Sequence, residues 1–186
     1  MIPFPNKKYQ IILADPPWQF KTYSNKGKGR SAEKHYECMT LNDIKALPIA
    51  SIADSQCILF MWVTFPMWGK AMGLLEAWGF DYKTIGFVWV KQNKGGKGIF
   101  TGQGYYTRSN AEVCIIATKK KSKLLSRVAK NVHQVLLAPR GKHSAKPEEI
   151  RERIVKLMGD LPRIELFARG QLPEGWDGWG NEYEGC

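Results

Sequence analysis

"YQIILADPPW", residues 9–18, joins a continuous apolar run to an aspartate, two prolines and a tryptophan. Ile11, Ile12, Leu13 and Ala14 occupy both parities of the run, so a strand here buries both faces. That pattern belongs to a parallel sheet covered by helices, because a half-solvated strand alternates apolar and polar residues. The same signature recurs in "CILFMWV" (57–63), "IGFVWVK" (85–91), "EVCIIAT" (112–118), "VHQVLLA" (132–138) and "RIELFAR" (163–169). Helical patterns separate several of these runs. Thr40 and Asp43 form a capping-box pair that opens "LNDIKAL". Pro66, just after Thr64, suits a first turn, and Gly79 closes "MWGKAMGLLEAWG". "KPEEIRERIVKLMGD" starts with Pro147 near its head and stops at Gly159, with Ile150, Ile154, Leu157 and Met158 as its apolar stripe. The expected fold is α/β, three-layered and doubly wound: a mostly parallel central sheet flanked by helices, in a single domain over residues 1–186.

Composition narrows the partners. Lys and Arg number 28 against 17 Asp and Glu, a formal net charge of +11. Such a charge attracts polyanions, nucleic acid above all. The cysteines, Cys38, Cys57, Cys114 and Cys186, show no C-x-x-C pairing, which excludes the usual zinc cage and disulfide frameworks. Cys57 and Cys114 sit in apolar runs and read as core residues. His35, His133 and His143 lack metal-ligand spacing, so no metal is expected. "MIPFPNKKYQ" does not read as a signal peptide, and no apolar run approaches the ~20 residues that span a bilayer. These features predict a cytoplasmic chain with no membrane partner. "GGKG" (95–98) and "GQG" (102–104) lack the spacing and the following helix of a dinucleotide-binding glycine turn.

Two segments are too long for economical connections: residues 19–37 and 92–110, both Gly-rich, basic and aromatic. Each follows a strand, and open parallel sheets bind ligands beyond the carboxyl ends of their strands. Lys26, Lys28, Arg30 and Arg108, interleaved with Tyr23, Tyr36, Phe100, Tyr105 and Tyr106, suit a groove that holds phosphates while bases stack. "TKKKSKLLSR" (118–127) reads instead as a solvated turn.

Asp15 raises the chemical question. A carboxylate at the end of a buried strand is costly without partners. Pro16 and Pro17 disfavour a helix cap and make a stiff turn whose carbonyls point outward, free of competing backbone donors. The Asp15 carboxylate and Pro16 carbonyl are then two fixed acceptors for the hydrogens of an exocyclic amine, and Trp18 is a ring to stack on the base. Acceptors that favour a tetrahedral nitrogen return its delocalised lone pair for attack on a sulfonium methyl, a gain from positioning and electrostatics. The competing reading is a strained turn of structural use alone.

"DPPW" after an apolar strand resembles the signature of the adenine-N6 methyltransferase family that contains the catalytic subunit of the eukaryotic messenger-RNA methyltransferase, and whose bacterial and phage members act mainly on DNA. "HYECMT" (35–40), "LFMWVT" (59–64), "WGF" (78–80), "VWVK" (88–91), "AEVCIIATK" (111–119), "HSAKPEEI" (143–150), "RIELFAR" and "WDGWGNE" (176–182) look like successive family motifs in order. The resemblance implies a Rossmann-like methyltransferase fold using S-adenosylmethionine, with the catalytic motif placed before the cofactor motif. It implies that Asp15 and Pro16 bind the target amine and that Asp15 also touches the cofactor. Pro17 and Trp18 would shape the base pocket, with Tyr36 closing over it. Lys146 would meet the cofactor carboxylate, while Arg169, Asn181 and Glu182 would hold its ribose. Glu112 falls near the base pocket or is a buried salt-bridge partner; His143 reads as a loop residue before the next helix.

Two departures stand out. The acidic–apolar pair that holds the cofactor's adenine in eukaryotic relatives is missing upstream of Asp15, or replaced by the Ile2–Phe4 segment. After Arg169, only Gln171 can stand in for the family's polar pair. The expected activity is S-adenosylmethionine-dependent methylation of adenine N6, on DNA in preference to RNA, with a homodimer compatible with the small size. The rivals are the same reaction on RNA, a non-catalytic nucleic-acid-binding partner subunit, and methylation of a protein amide.

Overall fold

Apolar residues on both parities of the first strand place it between two cores. In the computed structural model, which describes residues 3–18, 39–104, 106–141 and 145–184, strand β1 spans Tyr9–Ala14. Ile12 and Ala14 join one core, and Ile11 and Leu13 the other. The first core continues through Leu59, Met61 and Val63 of β2 (Ala53–Val63) and Val113, Ile115 and Ala117 of β4 (Ala111–Lys119). It is roofed by α1 (Leu41–Ala46), α2 (Ile49–Ile52) and α3 (Trp68–Trp78), through Ile44, Ile52, Leu74 and Trp78 among others. The second core lies beneath Ile150, Ile154 and Met158 of α4 (Glu149–Met158). Cys57 and Cys114 are both buried, as their apolar surroundings predict.

The remaining strands are β3 (Phe80–Gln92), β5 (Val135–Pro139), β6 (Arg163–Leu166), β7 (Arg169–Gly170), β8 (Trp176–Trp179) and β9 (Glu182–Tyr183). The main sheet has seven strands in the order β5-β3-β4-β2-β1-β6-β8. β1 is parallel to β2 and β6, β6 to β8, and β3 to β5; only β4 runs against its neighbours. This is the mostly parallel, helix-flanked α/β architecture of a Rossmann-like fold. β1 has an early strand on one side and a late one on the other, so the strand order reverses beside it. That crevice, beyond the carboxyl end of β1, is where such sheets bind ligands.

Local signals set the element ends. The Thr40 hydroxyl accepts a hydrogen bond from the Asp43 N–H at 3.2 Å, capping α1. Gly79 closes α3 in the left-handed conformation, φ 80°. Arg151 of α4 forks onto Glu165 of β6 at 2.6 and 3.1 Å, fastening the helix to its strand. Three elements differ from expectation. β5 starts at Val135 rather than 132, where Arg153 draws the His133 carbonyl into a 2.8 Å hydrogen bond. "RIELFAR" is not one strand, because Phe167 has φ 61° and breaks β6 from β7. "WDGW" forms an edge strand that Asp177 and Gly178 disguise. The Tyr183 ring takes the space beside Gly178, within 2.5 Å of where a Cβ would stand.

The described residues of 92–110 fold back as an arm. Asn93 N–H reaches Gly98 O at 3.2 Å, Phe100 N–H reaches Lys91 O at 2.7 Å, and Gly102 N–H reaches Ser109 O at 3.0 Å. Among the described residues, no helix is long and apolar enough to cross a membrane.

Candidate active site

Asp15 leaves β1 at the carboxyl end of the sheet, and its N–H points to Leu166 O of β6 at 3.4 Å. The two prolines stiffen the turn that follows. The Pro16 carbonyl is not free of backbone donors, as the sequence suggested: it accepts the Trp18 N–H at 2.8 Å, so one lone pair is engaged. Trp18 is also placed differently from expectation. Its indole is 5% exposed, packs in the first core, and donates from Nε1 to Trp62 O at 3.4 Å. A large ring next to an apolar strand buries itself and pins the turn, rather than presenting an open face for stacking.

Four side chains from distant parts of the chain form an alternating line of charge. Lys91 at the end of β3 donates to Glu112 Oε1 at 2.5 Å, and Glu112 stands at the start of β4. Lys146 lies 3.4 Å from Glu112 Oε2 and 2.7 Å from Asp15 Oδ2. Side-chain exposure is 17% at Lys91, 7% at Glu112, 14% at Lys146 and 23% at Asp15, so Glu112 is the buried centre of the line and Asp15 its most exposed end. Burial alone would raise the Glu112 carboxyl, but the Lys146 and Lys91 ammoniums outweigh it and hold it below its ordinary value. Burial would likewise depress Lys146, yet Asp15 and Glu112 raise it above the usual lysine range. Both groups are therefore ionised at neutral pH, and Lys146 presents a fixed cation to the Asp15 carboxylate. Asp15 Oδ1 has no hydrogen-bond partner among the described residues.

Asp15 also borders a small cleft of about 60 Å³ that brings it together with Arg169, Asn181 and Glu182. Pro17 and Met39 form one side of it, and Phe167, Ala168, Trp179 and Gly180 the other. Phe4 stacks on Trp179 at 4.3 Å, and Phe167 meets it edge-on at 5.7 Å. Arg169 Nε lies 3.9 Å from Glu182 Oε1, linking β7 to β9. Gly180 permits this layout, since a Cβ there would stand 2.8 Å from both Ala168 N and Ala168 O.

The MT-A70 family profile matches residues 9–182. The chain belongs to the MT-A70 family. It is 39% identical over 194 residues to the Type II methyltransferase M.MunI of Mycoplasma sp, covering 96% of this chain and 79% of that one. It is 29% identical over 184 residues to the human N(6)-adenosine-methyltransferase catalytic subunit METTL3, covering 96% of this chain but 29% of that one. The Drosophila melanogaster N(6)-adenosine-methyltransferase MT-A70-like protein is 29% identical, with 27% of its length covered.

Within this MT-A70 chain, the carboxyl end of the sheet gathers Asp15, Pro16, Pro17, Glu112, Lys146, Arg169, Asn181 and Glu182. Gln171 is placed elsewhere, in a cleft of about 670 Å³ beside Arg151 of α4 and Trp176. Arg108 is exposed on the 92–110 arm. Lys26, Lys28, Arg30, Tyr36, Tyr105 and His143 lie outside the described residues. Sequence reasoning overlooked Lys91, Met39, Phe167 and Trp179. All four stood inside quoted motifs, "HYECMT", "VWVK", "RIELFAR" and "WDGWGNE". The left-handed turn at Phe167 leaves no signal in a residue type that disfavours it.

Proposed function

We propose that the protein transfers a methyl group from S-adenosylmethionine to the N6 amine of adenine in DNA, with residues 1–186 acting as one methyltransferase domain. The observation that carries this reading is the Asp15 carboxylate, held by Lys146 at the mouth of a cleft beyond the carboxyl end of β1. The cleft chemistry fits the cofactor. Glu182, half exposed, can accept hydrogen bonds from two hydroxyls, and Asn181 offers donor and acceptor together. Phe4, stacked on buried Trp179, ties the N-terminal segment to the edge of this cleft. Lys146 is the cation nearest the site for a carboxylate. When bound, S-adenosylmethionine supplies an electrophilic methyl group on a sulfonium centre.

The protein's own part is to prepare the amine. Asp15 Oδ1 and the second lone pair of Pro16 O accept its two hydrogens, which localises the nitrogen lone pair instead of leaving it in the ring. Lys146, kept charged by Glu112, orients Asp15 through Oδ2 and leaves Oδ1 for the amine. The nitrogen's surplus proton then departs toward Asp15 Oδ1. An adenine inside a duplex cannot reach this point, so it is flipped out or presented single-stranded, at a cost of a few kcal/mol.

The test is incubation with labelled S-adenosylmethionine and matched DNA and RNA oligonucleotides, followed by nucleoside analysis. Label in N6-methyladenine from DNA supports the reading; label only in RNA shifts the substrate, and label in neither refutes it. Gly180→Ala probes the cofactor side. The added methyl pushes against the Ala168 backbone, an overpacking penalty of about 1–3 kcal/mol. Calorimetric titration is expected to show cofactor affinity weakened about tenfold or more. Unchanged affinity would remove the cofactor from this cleft.

A further inference from the structure

The folded arm after β3 carries a second feature at this end of the sheet. The guanidinium carbon of Arg140, just beyond β5, sits over the Phe100 ring, 3.4 Å from its centroid. Backbone bonds fix both partners: Phe100 N–H donates to Lys91 O at 2.7 Å, and Arg140 N–H donates to Gln92 O at 3.3 Å. The arm is braced in turn, with Gln92 Nε2 on Gly96 O at 2.9 Å and Asn93 Nδ2 on Lys97 O at 3.1 Å. Lys91 is thus shared, its carbonyl holding Phe100 while its ammonium holds Glu112. One residue separates the stacked pair from the charged line that ends at Asp15.

Arg140 differs from the other cations here. Lys91, Lys146 and Arg169 are all near carboxylates. The Arg140 side chain is exposed and makes no hydrogen bond or ion pair among the described residues. The ring covers one side of the guanidinium, and the exposed N–H groups are unused among the described residues. Planar, pre-oriented donors suit an oxyanion with two acceptor oxygens, which is the geometry of a phosphodiester. Lys94, Lys97 and Arg108 on the same arm add positive charge but no comparable anchoring.

We propose that the Arg140–Phe100 stack is a phosphate clamp that holds the backbone of the substrate DNA strand near the target adenine. This assignment rests on the methyltransferase reading above and names the part of the protein that grips the substrate strand. Phosphate contacts position a strand without reading its sequence, so the clamp acts on every site alike.

The test uses the full chain and a short single-stranded DNA oligonucleotide, with binding read by fluorescence anisotropy and methylation by nucleoside analysis. Arg140→Ala is expected to raise Kd and KM about tenfold, leave kcat at saturating DNA unchanged, and lower the log–log salt slope by about 0.7, the loss of one phosphate contact on a single strand. Phe100→Ala keeps the charge and is expected to reproduce most of the rise in Kd, because the guanidinium loses its orientation; Arg140→Lys falls between. Unchanged Kd and salt slope in Arg140→Ala would overturn the clamp, as would a fall in kcat with Kd intact. A wild-type chain that binds DNA but methylates nothing would sink the methyltransferase reading alone, since the binding arm still decides the role of Arg140.

Discussion

Asp15→Asn is expected to lower kcat for adenine methylation by about a thousandfold while leaving oligonucleotide affinity within about threefold, as measured by nucleoside analysis and anisotropy. The substitution conserves shape, and the turn set by Pro16, Pro17 and buried Trp18 does not depend on the carboxylate. What changes is the chemistry at the mouth of the cleft. One carboxylate oxygen becomes an amide nitrogen, a donor that faces either the Lys146 ammonium or the incoming amine. With the amide nitrogen toward the amine, one acceptor of the pair is lost; with it toward Lys146, a donor meets the ammonium, and the acceptor left to the amine is a neutral amide oxygen that cannot take up its proton. Groups that act on charge developing at the reacting atom contribute about two to three orders of magnitude each, whereas binding draws on many phosphate contacts. Activity within about tenfold of wild type would mean that Asp15 serves only to anchor Lys146.

Glu112→Gln is expected to produce the largest loss of stability, about 3–5 kcal/mol, seen as a melting midpoint lowered by roughly 10 °C. The carboxylate is 7% exposed and is the shared counter-ion of Lys91 and Lys146. Neutralising it leaves two nearly buried ammoniums side by side, and Lys91 then has no other ion-pair partner among the described residues. Both pKa shifts fix how this loss varies with pH. Glu112 is held below its unfolded value, so its contribution is present above the ordinary glutamate range and is lost as pH falls through the lowered folded value. Lys146 is held above its unfolded value, so its contribution is full below the ordinary lysine range and is lost as pH rises through the raised folded value. Urea unfolding should therefore show a constant difference between wild type and variant from about pH 5 to about pH 10, shrinking at both extremes. A difference independent of pH down to strongly acidic conditions would show that Glu112 contributes by shape and not by charge.

Much of the fold was legible because it is local. The six apolar runs each contain a strand; Thr40 opens a helix, and Gly79 and Gly159 close theirs, where side chain or backbone freedom suggests. The chemistry of the site was partly legible for a different reason. A carboxylate and two prolines at the end of a buried strand form an unfavourable combination, and such combinations mark function. Trp18 shows the limit of that reading. Its neighbours in sequence suggested a stacking surface, but its burial follows from the shape of the core between β1, β2 and α3, which no short stretch encodes.

The sequence by itself determined that the chain forms a helix-covered, mostly parallel sheet with Asp15 at a strand's carboxyl end, because periodicity, caps and prolines act over a few residues. Only the tertiary structure decided that β4 runs against its neighbours, that Gln171 faces a different cleft from Asn181, and that Lys146 lies on Asp15 across 131 positions of chain. The physical reason is that an ion pair or a strand register is fixed by which elements become neighbours. That choice is made by burial of the whole core, where the energy of any one contact is small beside the entropy of closing the loop that creates it.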